Sequence, residues 1–403
     1  EILESRDVVV LGVGQTKFGS YPDKSLAKLF ADAFFQAADE SNIGKEEVEA
    51  LYYGNFNGAM TDGSANLPGF LADEVGLEGI EGFRFEGACA SSSVAFVEAC
   101  RDVASGYHDF VAVGGSERLK NAGTALGTRA LATAVEGIHD MTAGLTFPGV
   151  FALVTRLYSK KYDIPLEGLR EKIARVSIKN HKYGAKNPKA QFFGRMGDLS
   201  VEDVTGSKMI SSPLTLRDCC PMTDGGSAVI VTSGEIGEGL VDQPVYVLGK
   251  GVCVSGGLFR QKEDLVKAVP RKVSSEKAYE ESGLGPEDID FVEIHDCFTM
   301  AEVIAMEAMG FYDYGEGADA VERGETEFDG ELPVNIDGGL IGKGHPVGAT
   351  GTAQIYTVSK VLRDEYGPYS LDDVEVGMTD TLGGEFGTLC NIILSTRRKK
   401  DEL

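Results

Sequence analysis

The sequence predicts an α/β protein made of two copies of one unit, and three observations carry that expectation. Val8-Val-Val-Leu-Gly-Val-Gly14 returns 237 residues later as Val245-Tyr-Val-Leu-Gly-Lys-Gly251, each a buried strand that ends in a glycine turn. Ser41-Asn-Ile-Gly-Lys-Glu-Glu-Val-Glu49 returns 241 residues later as Ser282-Gly-Leu-Gly-Pro-Glu-Asp-Ile-Asp290, again leading into an apolar strand. Two matches in the same order at nearly the same offset mark an internal duplication. Strands and helices also alternate within each copy, the pattern of mixed or parallel sheets covered by helices.

In the first copy the order is a strand at 7–14, a helix at 24–41, a strand at 48–54 and a small-residue loop that carries Cys89 and opens another helix. In the second copy the counterparts are 244–251, 262–282, 289–295 and the loop of His345. Cys89 and His345 thereby take equivalent positions in the two halves. Ligands of such sheets bind at strand ends where helices begin, so a pseudo-twofold pairing of the halves brings the two loops together. Residues 118–215 interrupt the first copy ahead of Asp218–Val231, which reads as a turn feeding a buried strand. This insertion has helical periodicity near 149–163 and 166–183 and a basic, Gly/Pro-interrupted stretch to Arg195, as a lid or ligand-binding excursion would. The expected division is 1–117 plus 216–240, 118–215, and 241–403.

At 403 residues the chain can bury two ordinary cores, and its 52 glycines suit tight loops and close backbone approaches better than a helical bundle. A net charge of −25 argues against nucleic-acid or anionic-membrane surfaces, which need clustered Lys and Arg. The seven cysteines are odd in number and lack CxxC spacing, which suggests neither a disulfide framework nor a zinc ribbon and fits a reducing cytoplasm. No segment reaches the roughly 18 apolar residues needed to span a bilayer. The final Lys-Asp-Glu-Leu has the letters of a retrieval signal, but nothing visible provides entry to the secretory pathway, and coincidence is the better reading.

Four side chains carry the chemistry. Cys89 lies in Glu86-Gly-Ala-Cys-Ala-Ser-Ser-Ser, at what reads as the first turn of a helix, where free N–H groups and the helix dipole would draw the thiol pKa toward neutrality. His345 is the candidate acceptor of its proton. Cys297 is a second thiol able to move a proton, and His295, two residues earlier, a donor to a developing oxyanion. The Gly383-Gly384 pair can bring an amide against a reacting carbonyl. Cys100, Cys219, Cys220, Cys253 and Cys390 read as core. A metal site from Cys89, His295, Cys297 and His345 fails on spacing, because only the His-x-Cys pair is local, so no metal is expected. The spacing of Gly12, Gly14 and Gly19 is not that of a dinucleotide fingerprint.

Glu86-Gly-Ala-Cys-Ala-Ser-Ser, His295-Asp-Cys-Phe298 and Gly344-His-Pro-Val-Gly-Ala-Thr-Gly351, in that order over a duplicated α/β chain, resemble the thiolase superfamily. The His-Asp-Cys-Phe box is similar to that of the sterol-carrier-protein type, which includes archaeal and bacterial acetyl-CoA acetyltransferases. The resemblance implies a five-layered α-β-α-β-α fold of two similar halves, an inserted loop domain that holds coenzyme A, and a homodimer or dimer of dimers. By motif, Cys89 is the acylated nucleophile, His345 its activator and an oxyanion donor, and His295 the other donor. The amides of Cys89 and Gly383 form a second hole for the acyl-enzyme. Many thiolases carry a second catalytic cysteine in a C-x-G box near the C-terminus; here that run is Thr381-Leu-Gly383, and Cys297 takes the role.

The implied reaction condenses two acetyl-CoA to acetoacetyl-CoA and CoA, without a tightly bound cofactor, toward isoprenoid precursors by the mevalonate route. Lys179, Lys182, Lys186 and Arg195 are the expected source of positive charge for the CoA phosphates. The implied protein partners are hydroxymethylglutaryl-CoA synthase and a zinc-ribbon/OB-fold bridging protein; no nucleic acid or membrane is expected. The alternatives are a degradative thiolase for longer or branched 3-ketoacyl-CoAs and a non-catalytic acyl-CoA or lipid binder.

Overall fold

The computed structural model describes residues 5–256, 264–367 and 370–398. The terminal Lys400–Leu403 run and the start of the expected 262–282 helix lie outside these residues. The strands are β1 Val8–Gln15, β2 Ala50–Gly54, β3 Glu81–Phe85, β4 Val111–Arg118, β5 Met209–Ser211, β6 Leu214–Thr215, β7 Asp224–Ser233, β8 Val245–Val254, β9 Phe291–Glu293, β10 Val376–Gly383 and β11 Thr388–Ser395. Nine of them join in the order β3-β2-β4-β7-β1-β8-β11-β10-β9, with β5 and β6 forming a separate hairpin.

The duplication is written into this order. β1 is antiparallel to β7, β7 to β4, and β4 parallel to β2. In the second half β8 is antiparallel to β11, β11 to β10, and β10 parallel to β9. The halves meet where β1 pairs with β8 through Val9–Tyr246 and Val10–Val245.

Between the two half-sheets lie the helices Ser91–Ser105 and Thr350–Leu362, which are buried over most of their length, small hydroxyl side chains included, because both faces are covered. Phe96, Ile355 and Val358 share one core with Val113 and Val229 of the first half and with Phe291, Ile392 and Leu394 of the second. The helix Leu26–Glu40 covers the outer face of the first half, where Phe30 and Phe34 pack on Leu11 and Ile230. The helix Thr299–Ala308 packs in the core on the other side, with Val292 and Met378. These are the five layers α-β-α-β-α. Helices at Leu119–Ala132, Phe147–Lys161 and Leu166–Gly184 and the β5–β6 hairpin lie between β4 and β7 in sequence.

Each central helix is entered through a short 3₁₀ turn, Ala88–Ala90 in one half and Val347–Ala349 in the other. Cys89 is therefore matched by Gly348. His345 stands three residues ahead of strict equivalence, and the offset lets a side chain reach across to the thiol instead of clashing with it. The first turns of the two helices touch, since a Cβ on Gly351 would sit 2.0 Å from Ser93 Oγ.

Candidate active site

The nucleophile loop is held by its own short polar side chains. Ala88 has φ +50°, costly for a residue with a Cβ by about 1–2 kcal/mol. The strain is supported by Ser91 Oγ, which accepts from Gly87 N at 3.0 Å and donates to Ala88 O at 2.6 Å, and by Glu86 Oε1, which accepts from Ala88 N at 2.6 Å. This conformation turns Cys89 into a cavity of about 300 Å³ that His295, Cys297 and His345 also line.

One donor atom each from Cys89, His295 and His345 lie within 4.8 Å of one another. The imidazole rings meet edge to face, centroids 5.0 Å apart. Gly344, at φ +119°, gives His345 its direction; the backbone N–H of His345 donates to Thr223 Oγ1 at 2.9 Å. His345 Nδ1 is 2.7 Å from Thr350 Oγ1, which donates to Pro346 O at 3.2 Å. That hydroxyl is an acceptor toward the ring, so Nδ1 holds the proton and Nε2 keeps its lone pair. His295 is fully buried, and among the described residues neither ring nitrogen has a hydrogen-bond partner. A buried imidazole in that condition is built to meet something that enters the cavity.

Burial leaves every one of these groups neutral at rest. It pushes the Cys89 thiol up to about 12, against the N–H groups of Gly384 and of Cys89 itself, which favour the thiolate. The expected fall toward neutrality is thus overturned: Cys89 sits in the turn ahead of the helix, in an apolar enclosure, with Glu117 and Glu86 as the nearby charges. Burial likewise drives His345 down to about 3 and His295 well below its ordinary value. Cys297 is pushed well above the usual thiol range by burial and by Cys89, with Arg271 opposing.

Other sequence expectations shift as well. The amide aimed at the sulfur is that of Gly384, not Gly383; Gly383 instead packs so that a Cβ there would sit 2.0 Å from Gly87 O. Lys179 is buried, 1 % exposed, with Nζ 2.6 Å from Glu302 Oε1, and so is closed to a phosphate. Lys182, Lys186 and Arg195 are exposed but do not line the cavity. Cys219 and Cys220, read as core, line it, and Cys220 N donates to Cys297 O at 2.9 Å. Thr381 is bound by Ser93 Oγ at 2.8 Å and Cys390 O at 3.3 Å.

Sequence reasoning missed the residues that aim the histidines. Asp296 accepts from Leu340 N at 2.6 Å, Ile341 N at 3.2 Å and Asn180 Nδ2 at 2.7 Å, tying the His295 loop to the segment before His345. Asp380 accepts from His295 N at 3.2 Å and pairs with the fully buried Arg271, Nε to Oδ1 at 3.0 Å. Glu117 accepts from Phe56 N, Asn57 N and Gly348 N and so joins the two halves. The signal available was charge inside apolar strands, at Glu117 and Asp380.

The thiolase N-terminal domain model matches residues 8–235, and the thiolase C-terminal domain-like model matches 251–396. The chain is 36% identical over 390 residues to an acetyl-CoA acetyltransferase of Methanothermobacter thermautotrophicus, covering 97% of this chain and 100% of the relative. It is 34% identical to the benzoylsuccinyl-CoA thiolase subunit BbsB of Thauera aromatica (94% and 95% covered) and 30% identical to human sterol carrier protein 2 (94% and 70%). Among solved structures, the Ltp2-ChsH2(DUF35) aldolase superposes with a TM-score of 0.83 at 24% identity over 98% of this chain and 100% of that one, which speaks to fold alone. With both domain models matched across most of its length and a whole-length acetyltransferase relative, the chain belongs to the thiolase superfamily and is an acyltransferase.

Proposed function

We propose that the protein condenses two acetyl-CoA into acetoacetyl-CoA and CoA, and that Cys89, His295, His345 and Cys297 carry the reaction. The supporting observation is the convergence of Cys89 with two neutral imidazoles, one of them without a hydrogen-bond partner for either nitrogen among the described residues. Cys89 attacks the thioester carbon as its proton passes to Nε2 of His345, and the carbonyl oxygen is met by the N–H groups of Cys89 and Gly384. Because the resting thiol is held neutral, deprotonation accompanies attack. CoA leaves with the proton of Cys297. The Cys297 thiolate then takes the α-proton of a second acetyl-CoA while His295 and protonated His345 stabilise the enolate oxygen. The carbanion attacks acetyl-Cys89, and the expelled sulfur recovers its proton from His345.

Residues 118–215 form the proposed CoA-binding insertion: Thr146, Phe147, Pro148 and Ile210 come from it to the cavity wall. Lys182, Lys186 and Arg195 remain the proposed phosphate contacts, and Lys179 does not. The exposed edge of β3, with Phe83 exposed on it and Tyr107 beside it, supports a homodimer. A role in isoprenoid precursor synthesis in the cytoplasm, beside a hydroxymethylglutaryl-CoA synthase and a bridging protein, belongs to the same proposal; the ChsH2(DUF35) component of the Ltp2-ChsH2(DUF35) aldolase supports such a bridge.

A second reading takes bulkier acyl groups. It is supported by the apolar wall of Leu119, Leu131, Met222, Val347, Leu382 and Phe298, roomy beside an acetyl group. A chain-length series of 3-ketoacyl-CoAs separates the two.

The test is CoA-dependent loss of acetoacetyl-CoA with purified protein. Cys89→Ala is expected to lower turnover by at least about 10³-fold. Cys297→Ala is expected to keep acylation of Cys89, read by mass spectrometry, while condensation falls by roughly 10²–10⁴-fold. Turnover surviving in Cys89→Ala sinks the reading; equal loss of both half-reactions in Cys297→Ala removes Cys297 from its role.

A further inference from the structure

The four chemistry-bearing residues are too far apart in sequence to resemble a metal motif, yet three of them converge in space. Sγ of Cys89 and one nitrogen each of His295 and His345 lie within 4.8 Å of one another, facing a cavity. Zinc binds sulfur at about 2.3 Å and imidazole at about 2.0–2.1 Å in a tetrahedron, with donors roughly 3.3–3.7 Å apart. Side-chain rotations closing the triangle by about 1 Å are enough to reach that spacing.

Two independent features point to a ligand. His295 is fully buried and, among the described residues, both its ring nitrogens lack a hydrogen-bond partner, so a lone pair there is already stripped of water. His345 has its Nδ1 held by Thr350 Oγ1 at 2.7 Å, the outer hydrogen bond that orients a ligating imidazole and leaves Nε2 as the donor. One thiolate and two imidazoles, with a fourth position open to the cavity, make a borderline-soft donor set suited to zinc and not to calcium or magnesium.

We propose that Cys89, His295 and His345 form a reversible, inhibitory site for a thiophilic divalent cation, Zn²⁺ above all, which competes with acyl-CoA for the same sulfur. On binding, the S–H bond of Cys89 breaks, its proton leaves to solvent, and a sulfur–metal bond forms with no change of oxidation state. An acylated Cys89 has no thiolate to offer, and its thioester sulfur is a poor ligand, so acyl-enzyme and metal exclude each other. The protein is thereby silenced by free zinc and protected by its own substrate.

Co²⁺ is the probe, because thiolate-bound tetrahedral cobalt shows a sulfur-to-metal charge-transfer band and intense visible bands. Protein reduced with a phosphine and freed of metal should take up one Co²⁺ per chain with that band, and Zn²⁺ should erase it. Cys89→Ser should abolish the charge-transfer band. His295→Asn and His345→Asn should each weaken binding at least about tenfold, with folding verified by circular dichroism. Cys253→Ser, at a partly exposed thiol elsewhere, should leave the band intact. Prior alkylation of Cys89 should block uptake in the unmutated chain. A band that survives in Cys89→Ser, uptake without a band, or no uptake overturns the proposal. None of these readouts needs turnover, so the site stands or falls separately from the condensation reaction.

Discussion

The two halves repeat one architecture but differ in where they place buried ion pairs around their active-site loops. In the first half Cys89 is positioned mainly by small side chains and backbone, with Glu86 on the Ala88 amide: Ser91 against Ala88 O, Ser92 Oγ accepting from Thr352 N at 3.2 Å, and Gly383 against Gly87 O. In the second half Thr223 and Thr350 hold His345 and Asp380 holds the His295 backbone, and buried ion pairs stand behind both loops. Arg271 pairs with Asp380, Lys179 with Glu302, and Lys343 with Asp337, all nearly or fully buried. The difference follows from the tasks. A nucleophile under attack geometry needs amides close by, which small residues permit, whereas groups that hand on protons need their rings fixed at a distance, which long charged side chains can do.

The Arg271–Asp380 pair gives the largest expected effect. Arg271→Met leaves a carboxylate buried without its partner and should destabilise the fold by about 3–5 kcal/mol, read from urea unfolding midpoints. Adding Asp380→Asn should recover part of the loss, because the orphaned charge is gone while Oδ1 still accepts. A cost under about 1 kcal/mol for Arg271→Met would show that charge does not hold this half.

The same contrast explains what the sequence revealed. The duplication was legible because it is linear: two motifs repeat at a near-constant offset, the first lying in β1 and β8 and the second leading directly into β2 and β9. The meeting of Cys89 with His345 followed from that symmetry. What depended on burial was not legible. Lys179 stands in a run rich in Lys and Arg and looked like a phosphate contact, but its partner Glu302 is 123 residues away and arrives only with the fold. The choice of Gly384 over Gly383 is set by a φ of +64° that no pattern announces. The direction of the Cys89 pKa was misjudged for the same reason, since helix position was visible and enclosure was not.

That direction gives the second prediction. With the thiol pushed up to about 12 and His345 down to about 3, neither group titrates between pH 6 and 9. The thiolate fraction then rises about tenfold per pH unit across the whole range, and so should the rate of Cys89 alkylation by iodoacetamide. A plateau starting near pH 7 would instead reveal a preformed thiolate–imidazolium pair, and the first half would then hold charge after all.

The smallest effect belongs to the first half. Ser93 lies on the buried contact between the two central helices, and its Oγ accepts from Thr381 Oγ1 at 2.8 Å. Ser93→Ala removes that acceptor, but Thr381 keeps Cys390 O at 3.3 Å, so no donor is stranded. The cost should be about 1 kcal/mol or less, with the rate of Cys89 acylation within about twofold of the parent, because the strained Ala88 turn is held by Ser91 and Glu86 instead. Urea midpoints and acylation rates measured on one preparation check both. A loss of several kcal/mol would mean that hydroxyl contacts in the first half matter as much as buried ion pairs do in the second, and the contrast between the halves would fail.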